Sequence, residues 1–414
     1  MLCVCRIVAS LYFPAGADPI PPKECSLINP YLKDQQNSYL ENATALAAGV
    51  VSENAAAVDE SGQFPKENLD ALAAAGLLGL CVPAELGGSG QSMRSFAAVV
   101  EELATACPST AMIYVMHVTA AQAIASSAAL EERDALLREI AAGRHLTTLA
   151  FSETGSRSQF WAPVSRLESD GNGGFTTSAS KSWVTSADHA DSYVSSAQRP
   201  GAESPLESTI YLVRRGAEGV RTAGHFQGLG LRGNDSSPVA IEQLHVGAGT
   251  LISPQGEGAN TMLQVVLPWF ATGTAAMANG ICRAAVDRTS QHMQSTGFAH
   301  TGTALRDLPT LRARLADMSV RLSQSRALLG YALDVVESGS EAAPLFVLQS
   351  RLSSIEAATD VTDLAMKACG GAAFSKQVGV ERFFRDARAG WVMAPTADHL
   401  RDFVGRALTG LPLF

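Results

Sequence analysis

AFSETGSRSQFWA, residues 150 to 162, is the most informative segment of this sequence of 414 residues. A short apolar run from Leu146 to Phe151 ends there in a polar turn of serine, threonine and glycine residues. Such a turn leaves backbone N–H groups free to bind the acceptor oxygens of a ligand. Because an ordinary surface loop has the same composition, the order of the residues must be judged together with the rest of the chain.

The composition indicates an ordinary globular protein, with 46% hydrophobic and 17% charged residues. The length suits two or three domains. A net charge of −9 without a Lys/Arg cluster argues against nucleic acid and acidic membrane surfaces as partners. The seven cysteines form no C-x-x-C pair, which favours free thiols in a reducing, cytoplasmic compartment over disulfides or a metal site.

The periodicity of apolar residues divides the chain into four parts. Residues 1–39, rich in proline and cysteine, are expected to form an irregular extension. Residues 40–145 have the three- and four-residue spacing of helices, whereas residues 146–255 shift toward a spacing of two and predict a small β domain. Residues 256–414 are helical again, and long helices with short connections predict an antiparallel bundle. The expected fold class is therefore multidomain α+β.

The order of residues in 150–162 resembles the flavin-binding signature of the acyl-CoA dehydrogenase family, with Arg157 and Gln159 replacing a usual Gly and Asp. Five further segments resemble motifs of that family, in the family's order: KSWVTS at 181–186, GLGLRG at 228–233, QGEG at 255–258, CGG at 369–371 and RDAR at 385–388. Each motif alone is weak, but together they cover about residues 45–410, so the chain is identified as a member of this family.

The resemblance implies an N-terminal α-helical domain, a middle β-barrel or sandwich and a C-terminal four-helix bundle, assembled as a homotetramer with FAD. It also implies roles for residues around the flavin: Trp183 packing on the ring, Thr185 donating near N5, Phe151 and Ser152 at the pyrimidine edge, Ser158 at the pyrophosphate, and Gly370 and Gly371 approaching from a neighbouring subunit. The flat ring needs an apolar platform and a few hydrogen bonds at its edge.

The family's glutamate base is missing from both positions where it is usually found. Counted from the RDAR segment, the usual glutamate falls on Ala394, followed by Pro395; the alternative position falls on Phe270. Two residues that usually contact the FAD nucleotide are also replaced, by Ser295 and Lys367.

Without the glutamate, the sequence predicts that His399 supplies the proton chemistry, because an imidazole titrates near neutrality. A helix starting near Pro395 would place His399 beside its buried face, with a packing or capping role as the alternative.

The resemblance implies oxidation of the α,β carbon–carbon bond of an acyl thioester, bound to CoA or to a carrier protein. Two other activities remain open at this point: a monooxygenase that uses diffusible reduced flavin or FMN, and a non-redox flavoprotein. The expected partners are the acyl-CoA or acyl-carrier-protein substrate and an electron acceptor or flavin reductase.

Overall fold

The computed structural model describes residues 29–34 and 37–413. Most of the predicted extension, including Cys3, Cys5 and Cys25, lies outside the described residues. The N-terminal domain is helical: α1 (Ser38–Ala48), α2 (Val50–Ser61), α3 (Lys66–Ala74), α4 (Met93–Ala106), α5 (Pro108–Ala125) and α6 (Arg133–Ala141). Asn37 caps α1 with its side-chain oxygen, and Pro108 occupies the first turn of α5, where no N–H is needed.

The middle domain consists of two sheets that face each other. β1 (Thr147–Ala150) pairs in parallel with β4 (Ser192–Gln198), which pairs antiparallel with β5 (Ser208–Arg214). The second sheet has the order β2-β3-β7-β6, with all pairs antiparallel. Its strands are β2 (Glu168–Ser169), β3 (Phe175–Val184), β6 (Val220–Thr222) and β7 (Ser237–Val246).

One apolar core fills the space between the sheets. Tyr193 and Tyr211 from the first sheet and Phe175 and Ile241 from the second are buried in it. The predicted β-barrel or sandwich is therefore a two-sheet sandwich.

Three long helices dominate the C-terminal domain: α7 (Leu267–Ser295), α8 (Pro309–Glu337) and α9 (Ala343–Cys369). One α turn (Gly258–Thr261) and a π-helical turn (Met262–Val266) precede α7. Short helices follow: α10 (Gly371–Phe374), α11 (Val380–Ala387), α12 (Ala389–Val392) and α13 (Ala397–Thr409), the last of which packs on α9 as the fourth bundle element. The segment from Gly258 to Ser295 is long and apolar enough to cross a membrane, but 72% of its most apolar window is buried, as in a core helix.

Close packing of α4 on α7 joins the two helical domains. A Cβ at Gly280 of α7 would lie 2.4 Å from the backbone oxygen of Glu101 on α4, so only glycine permits this approach. In the same contact Arg283 of α7 donates to Glu101 and Glu102. The N-terminal segment adds Tyr31, whose buried hydroxyl donates to Glu101 and accepts from Asn279 at 2.9 Å.

His117 connects the N-terminal domain with β1. Its ring is fully buried on α5; Nε2 lies 3.1 Å from the oxygen of Leu78, and Nδ1 accepts the N–H of Thr147 at 3.2 Å. One nitrogen therefore accepts and the other donates, which requires the neutral ring. Burial lowers the pKa of His117 from 6.5 to about 4. His117 is a satisfied core histidine.

We predict that His117 makes the protein acid-sensitive. Between pH 6.5 and about 4 the unfolded chain binds a proton at His117 that the folded chain does not, so the free energy of unfolding falls as pH falls through this window. The full effect is on the order of 3 kcal/mol. Urea unfolding of parent and His117→Gln between pH 7.5 and 4 measures it.

The variant should be less stable at pH 7.5 but should lose less stability on acidification. The exposed His300→Gln serves as control and should keep the parent's pH dependence. Equal slopes for His117→Gln and the parent would contradict the assignment.

Candidate active site

A cavity of about 910 Å³ lies where the three domains meet. Its size is within the usual range for cofactor and substrate sites. Its wall is built from α5, the turn after β1, the end of β3, the loop before β7, the start of α7 and the segment from α11 to Ala394. The residues lining it include Met112, Met116, Phe151, Ser152, Ser158, Phe160, Trp183, Thr185, Phe226, Leu229, Asn234, Val266, Phe270, Arg385, Arg388, Val392, Met393 and Ala394.

A buried ion pair holds the turn after β1 against β3. Lys181 Nζ lies 2.6 Å from Glu153 Oε1, and the side chains are 0% and 3% exposed. Lys181 also donates to the oxygen of Ser196 at 2.7 Å. Glu153 further accepts the N–H groups of Val164 and Ser165, both at 2.7 Å, and the Ser165 hydroxyl at 2.5 Å.

Burial and mutual attraction act in opposite directions on the pKa of each member of this pair. Burial would raise the pKa of Glu153, but the charge and hydrogen bond of Lys181 and the hydrogen bonds from Ser165 lower it below its usual value. Burial lowers the pKa of Lys181, and Glu153 opposes this effect. The Glu153 side chain thus joins the two ends of the loop of residues 153–165 by hydrogen bonds.

A β-bulge turns Trp183 toward the cavity. The pairing of β3 with β7 shifts register between Lys181 and Val184, and Trp183 takes a left-handed φ of 57°. The indole is 68% exposed although the neighbouring Val184 is buried. Bulges commonly re-aim side chains next to active sites, and a left-handed bulky residue is strained. The backbone therefore presents a flat aromatic face to the cavity.

Four other residues predicted to contact the cofactor also lie in the cavity wall. These are Phe151, Ser152, Ser158 and Thr185. The Thr185 hydroxyl is 3.1 Å from that of Ser236, and Ser158 has a left-handed φ of 67°. The structure thus brings together residues of two motifs, 150–162 and 181–186, that are separated in the sequence.

Gly370 and Gly371 lie elsewhere, in the exposed junction between α9 and α10. They do not line the cavity, and a Cβ added at either would meet nothing within 4 Å. Gly370 has φ 57° and ψ −133°, a conformation that favours glycine. Within one chain this junction is open surface.

Both residues predicted to occupy the positions of the family's base, Phe270 and Ala394, lie in the cavity wall. In the part of the chain that the structure describes, the one carboxylate in the wall is that of Glu153, which already binds Lys181 and Ser165. The lining residues therefore include no free carboxylate.

His399 is not among the lining residues. It lies on the first turn of α13, where its N–H donates to the capping Thr396 hydroxyl at 3.3 Å. Its ring is 6.1 Å from the rings of Trp161 and Phe403. These are contacts of a packing and capping residue, and its role in proton chemistry stays a prediction.

Several lining residues carry no recognisable signal in the sequence. Phe226 packs edge-to-face on Trp183 with ring centroids 6.4 Å apart, and Met112 and Met116 come from the interior of α5. Asn234 has a buried side-chain oxygen without a hydrogen-bond partner among the described residues. These side chains reach the cavity only through tertiary packing, which single-sequence patterns do not encode.

Comparison with known proteins gives matches along nearly the whole described chain. Models of the acyl-CoA dehydrogenase N-terminal, middle and C-terminal domains match residues 33–144, 148–244 and 256–409. Cyclohex-1-ene-1-carbonyl-CoA dehydrogenase of Geobacter metallireducens is 27% identical over 379 residues, which cover 91% of this chain and 99% of that protein. The mitochondrial short-chain specific acyl-CoA dehydrogenase of Bos taurus is 26% identical, covering 81% and 80%.

Solved structures agree with these matches. Butyryl-CoA dehydrogenase from Megasphaera elsdenii superposes with a TM-score of 0.86 at 22% identity, covering 91% of this chain and 99% of that one. The prolyl acyl carrier protein oxidase AnaB gives a TM-score of 0.83 at 18% identity, covering 91% and 99%. At these identities the likeness is one of fold.

The chain belongs to the acyl-CoA dehydrogenase family. The predicted family, the fold class, the class of flavin-dependent oxidoreductase and FAD as cofactor are thereby confirmed.

We predict that Lys181→Met destabilises the protein by about 3–5 kcal/mol, because it leaves the Glu153 carboxylate buried without its counter-charge. Chemical denaturation measures the loss. Lys66→Met removes an exposed ion pair with Asp70 and should cost less than about 1 kcal/mol. The double variant Glu153→Gln, Lys181→Met should recover part of the stability; if it is as unstable as the sum of both single variants, the charges are not coupled.

Proposed function

We propose that this chain oxidises the α,β carbon–carbon bond of an acyl thioester, carried by CoA or by a carrier protein. The observation that carries the proposal is the cavity at the junction of the three domains, with the exposed face of Trp183 on one side and the apolar wall of Phe270, Val392 and Met393 on another. When bound, FAD supplies the acceptor for the hydride that leaves the substrate.

The residues present fit this cofactor. Trp183 offers a flat apolar platform, and the unpaired Asn234 oxygen and the Thr185 hydroxyl offer hydrogen-bonding groups for a polar ring edge. Ser158 in the 152–158 turn is the residue we assign to the pyrophosphate. The Glu153–Lys181 pair keeps this turn in place and stays outside the proton chemistry.

We further propose that the functional unit is a homotetramer. The open junction at Gly370 and Gly371 supports this, because in the family such a pair approaches the flavin of a neighbouring subunit, and Phe374 beside it is 86% exposed. A cytoplasmic location is also proposed; the cysteines of the described residues, Cys81, Cys107, Cys282 and Cys369, are buried free thiols, as a reducing compartment allows.

Loss of the Trp183 platform is expected to weaken flavin binding. Trp183→Ala should lower the flavin content of purified protein and raise the dissociation constant for FAD about 5- to 150-fold, on the scale of an aromatic contact of about 1–3 kcal/mol. Ser158→Ala should have a smaller effect. Absorbance spectra and FAD titration measure both, with the exposed Tyr331→Ala as control. If the parent protein is colourless and does not bind added FAD, the proposed flavin site is wrong.

The activity is tested by anaerobic mixing of the FAD-loaded protein with acyl thioesters, followed by admission of oxygen. Bleaching of the flavin by the thioester supports the dehydrogenase. Oxygen consumption that depends on a flavin reductase would instead identify a monooxygenase, and the absence of both signals would identify a non-redox flavoprotein.

We expect Ala394→Glu to raise the rate of flavin bleaching, because it places a carboxylate in the cavity wall where a base is missing. His399→Ala, at equal flavin content, tests the predicted proton role of His399. Full activity of His399→Ala would leave this residue with packing and capping alone. No gain from Ala394→Glu would show that the wall at residue 394 does not face the reacting carbon.

A further inference from the structure

Arg351 on α9 is a buried cation whose hydrogen-bonding capacity is mostly unused. Its side chain is fully buried. Nη2 donates to the backbone oxygen of Met393 at 3.0 Å, and the guanidinium carbon lies 4.9 Å from the centre of the Phe270 ring. Nε and Nη1 have no hydrogen-bond partner among the described residues. Buried polar groups are normally paired, so this arginine requires an explanation.

The electrostatic environment of Arg351 makes it more unusual. Burial lowers its pKa to about 9, and within the described part of the chain it forms no ion pair. Arg283, which is partly buried, instead contacts two carboxylates, Glu101 and Glu102. An uncompensated buried charge destabilises the folded protein by several kcal/mol. Groups with strongly shifted pKa values are often found at functional sites.

The two residues that contact the guanidinium, Phe270 and Met393, also line the large cavity, whereas Arg351 itself does not. Arg351 lines a separate enclosed space of about 10 Å³, together with Thr274, Asp386 and Met393. This volume is about that of one water molecule. The Asp386 carboxylate in this lining already accepts the N–H of Leu231 at 2.6 Å.

Met393 belongs to both cavity walls. Its side chain is unbranched and adapts readily to a new packing arrangement. Movement of this side chain would be needed for an anionic group in the large cavity to reach Nε and Nη1 of Arg351.

We propose that Arg351 binds a carboxylate at the far end of the substrate's acyl group, so that the substrate is a carboxyl-bearing acyl thioester. This rests on the proposed function. Two residues contact the guanidinium: Phe270, which is the alternative position of the family's glutamate, and Met393, which precedes the usual position at Ala394. Arg351 therefore lies near both positions at which the family usually carries its glutamate. The carboxylate of the substrate would supply the negative charge that these positions lack.

The test compares two pantetheine thioesters with five-carbon acyl groups, glutaryl and pentanoyl, which differ in the terminal carboxylate. Their dissociation constants are measured anaerobically on the FAD-loaded protein from the perturbation of the flavin spectrum, and bleaching is followed separately. Because a hydrogen bond to a charged group contributes about 1.5–3 kcal/mol, glutaryl thioester should bind about tenfold or more tightly.

Arg351→Met should abolish the preference by weakening glutaryl binding while changing pentanoyl binding less than about twofold, and Arg351→Lys should retain part of it. Arg321→Met, at an exposed ion pair with Asp360 on the neighbouring helix, is the matched control and should keep the preference. Arg388→Met tests whether the arginine in the cavity wall binds the carboxylate instead.

Equal affinities for the two thioesters in the parent would overturn the proposal while leaving the proposed function standing. Equal weakening of both by Arg351→Met would assign Arg351 to support of the Met393 carbonyl, and loss of the preference in Arg388→Met alone would move the site. If neither thioester binds or bleaches the flavin, the proposed function fails as well. Thermal unfolding of Arg351→Lys and Arg351→Met separates a folding defect from a binding defect.

Discussion

The buried pair of Lys181 and Glu153 is the interaction on which the site depends. Lys181 begins the segment that presents Trp183, and Glu153 lies within the turn expected to bind the cofactor. The two segments belong to different sheets, and beside the ion pair the N–H of Ser182 donates to the oxygen of Ser152 at 2.9 Å. Because Glu153 also binds the backbone of Val164 and Ser165, one carboxylate fixes both ends of the loop. Replacing the charges by apolar groups could give comparable stability, so the pair is best understood as setting the relative position of the two segments.

Positively charged side chains outnumber carboxylates in the cavity wall beside this ion pair. Among the described residues, the only carboxylate in this wall is that of Glu153, which pairs with Lys181, whereas Arg157, Arg385 and Arg388 contribute cations. Arg385 is paired with Asp59, and Arg388 lies over the ring of Phe384. A site with this balance favours anionic ligands. Among the described lining residues, no unpaired carboxylate is available to abstract a proton.

Local signals in the sequence were sufficient for the domain order and for the motif residues. Serine, threonine and glycine after an apolar run predicted the turn at Ser152, and the KSWVTS segment predicted the position of Trp183. The bulge that exposes this indole depends on the register with β7, which no local pattern specifies. Nor does any local pattern predict the burial of Arg351, because that burial arises from tertiary contacts with α7 and residue 393. His399 was predicted on the correct helix, but its surroundings are set by the rings of Trp161 and Phe403.

Tyr31 has a practical consequence for how the protein is produced. The match to the family's N-terminal domain begins at residue 33, so a recombinant boundary chosen from that match would remove Tyr31. The cut would leave Glu101 and Asn279 without the phenol that lies between them, and Arg94 without the backbone oxygen to which it donates at 2.7 Å. All of these partners lie near the contact between the two helical domains. Poor expression of the shortened protein would then result from the loss of these hydrogen bonds between the helical domains. A recombinant protein that starts upstream of residue 29 would keep them.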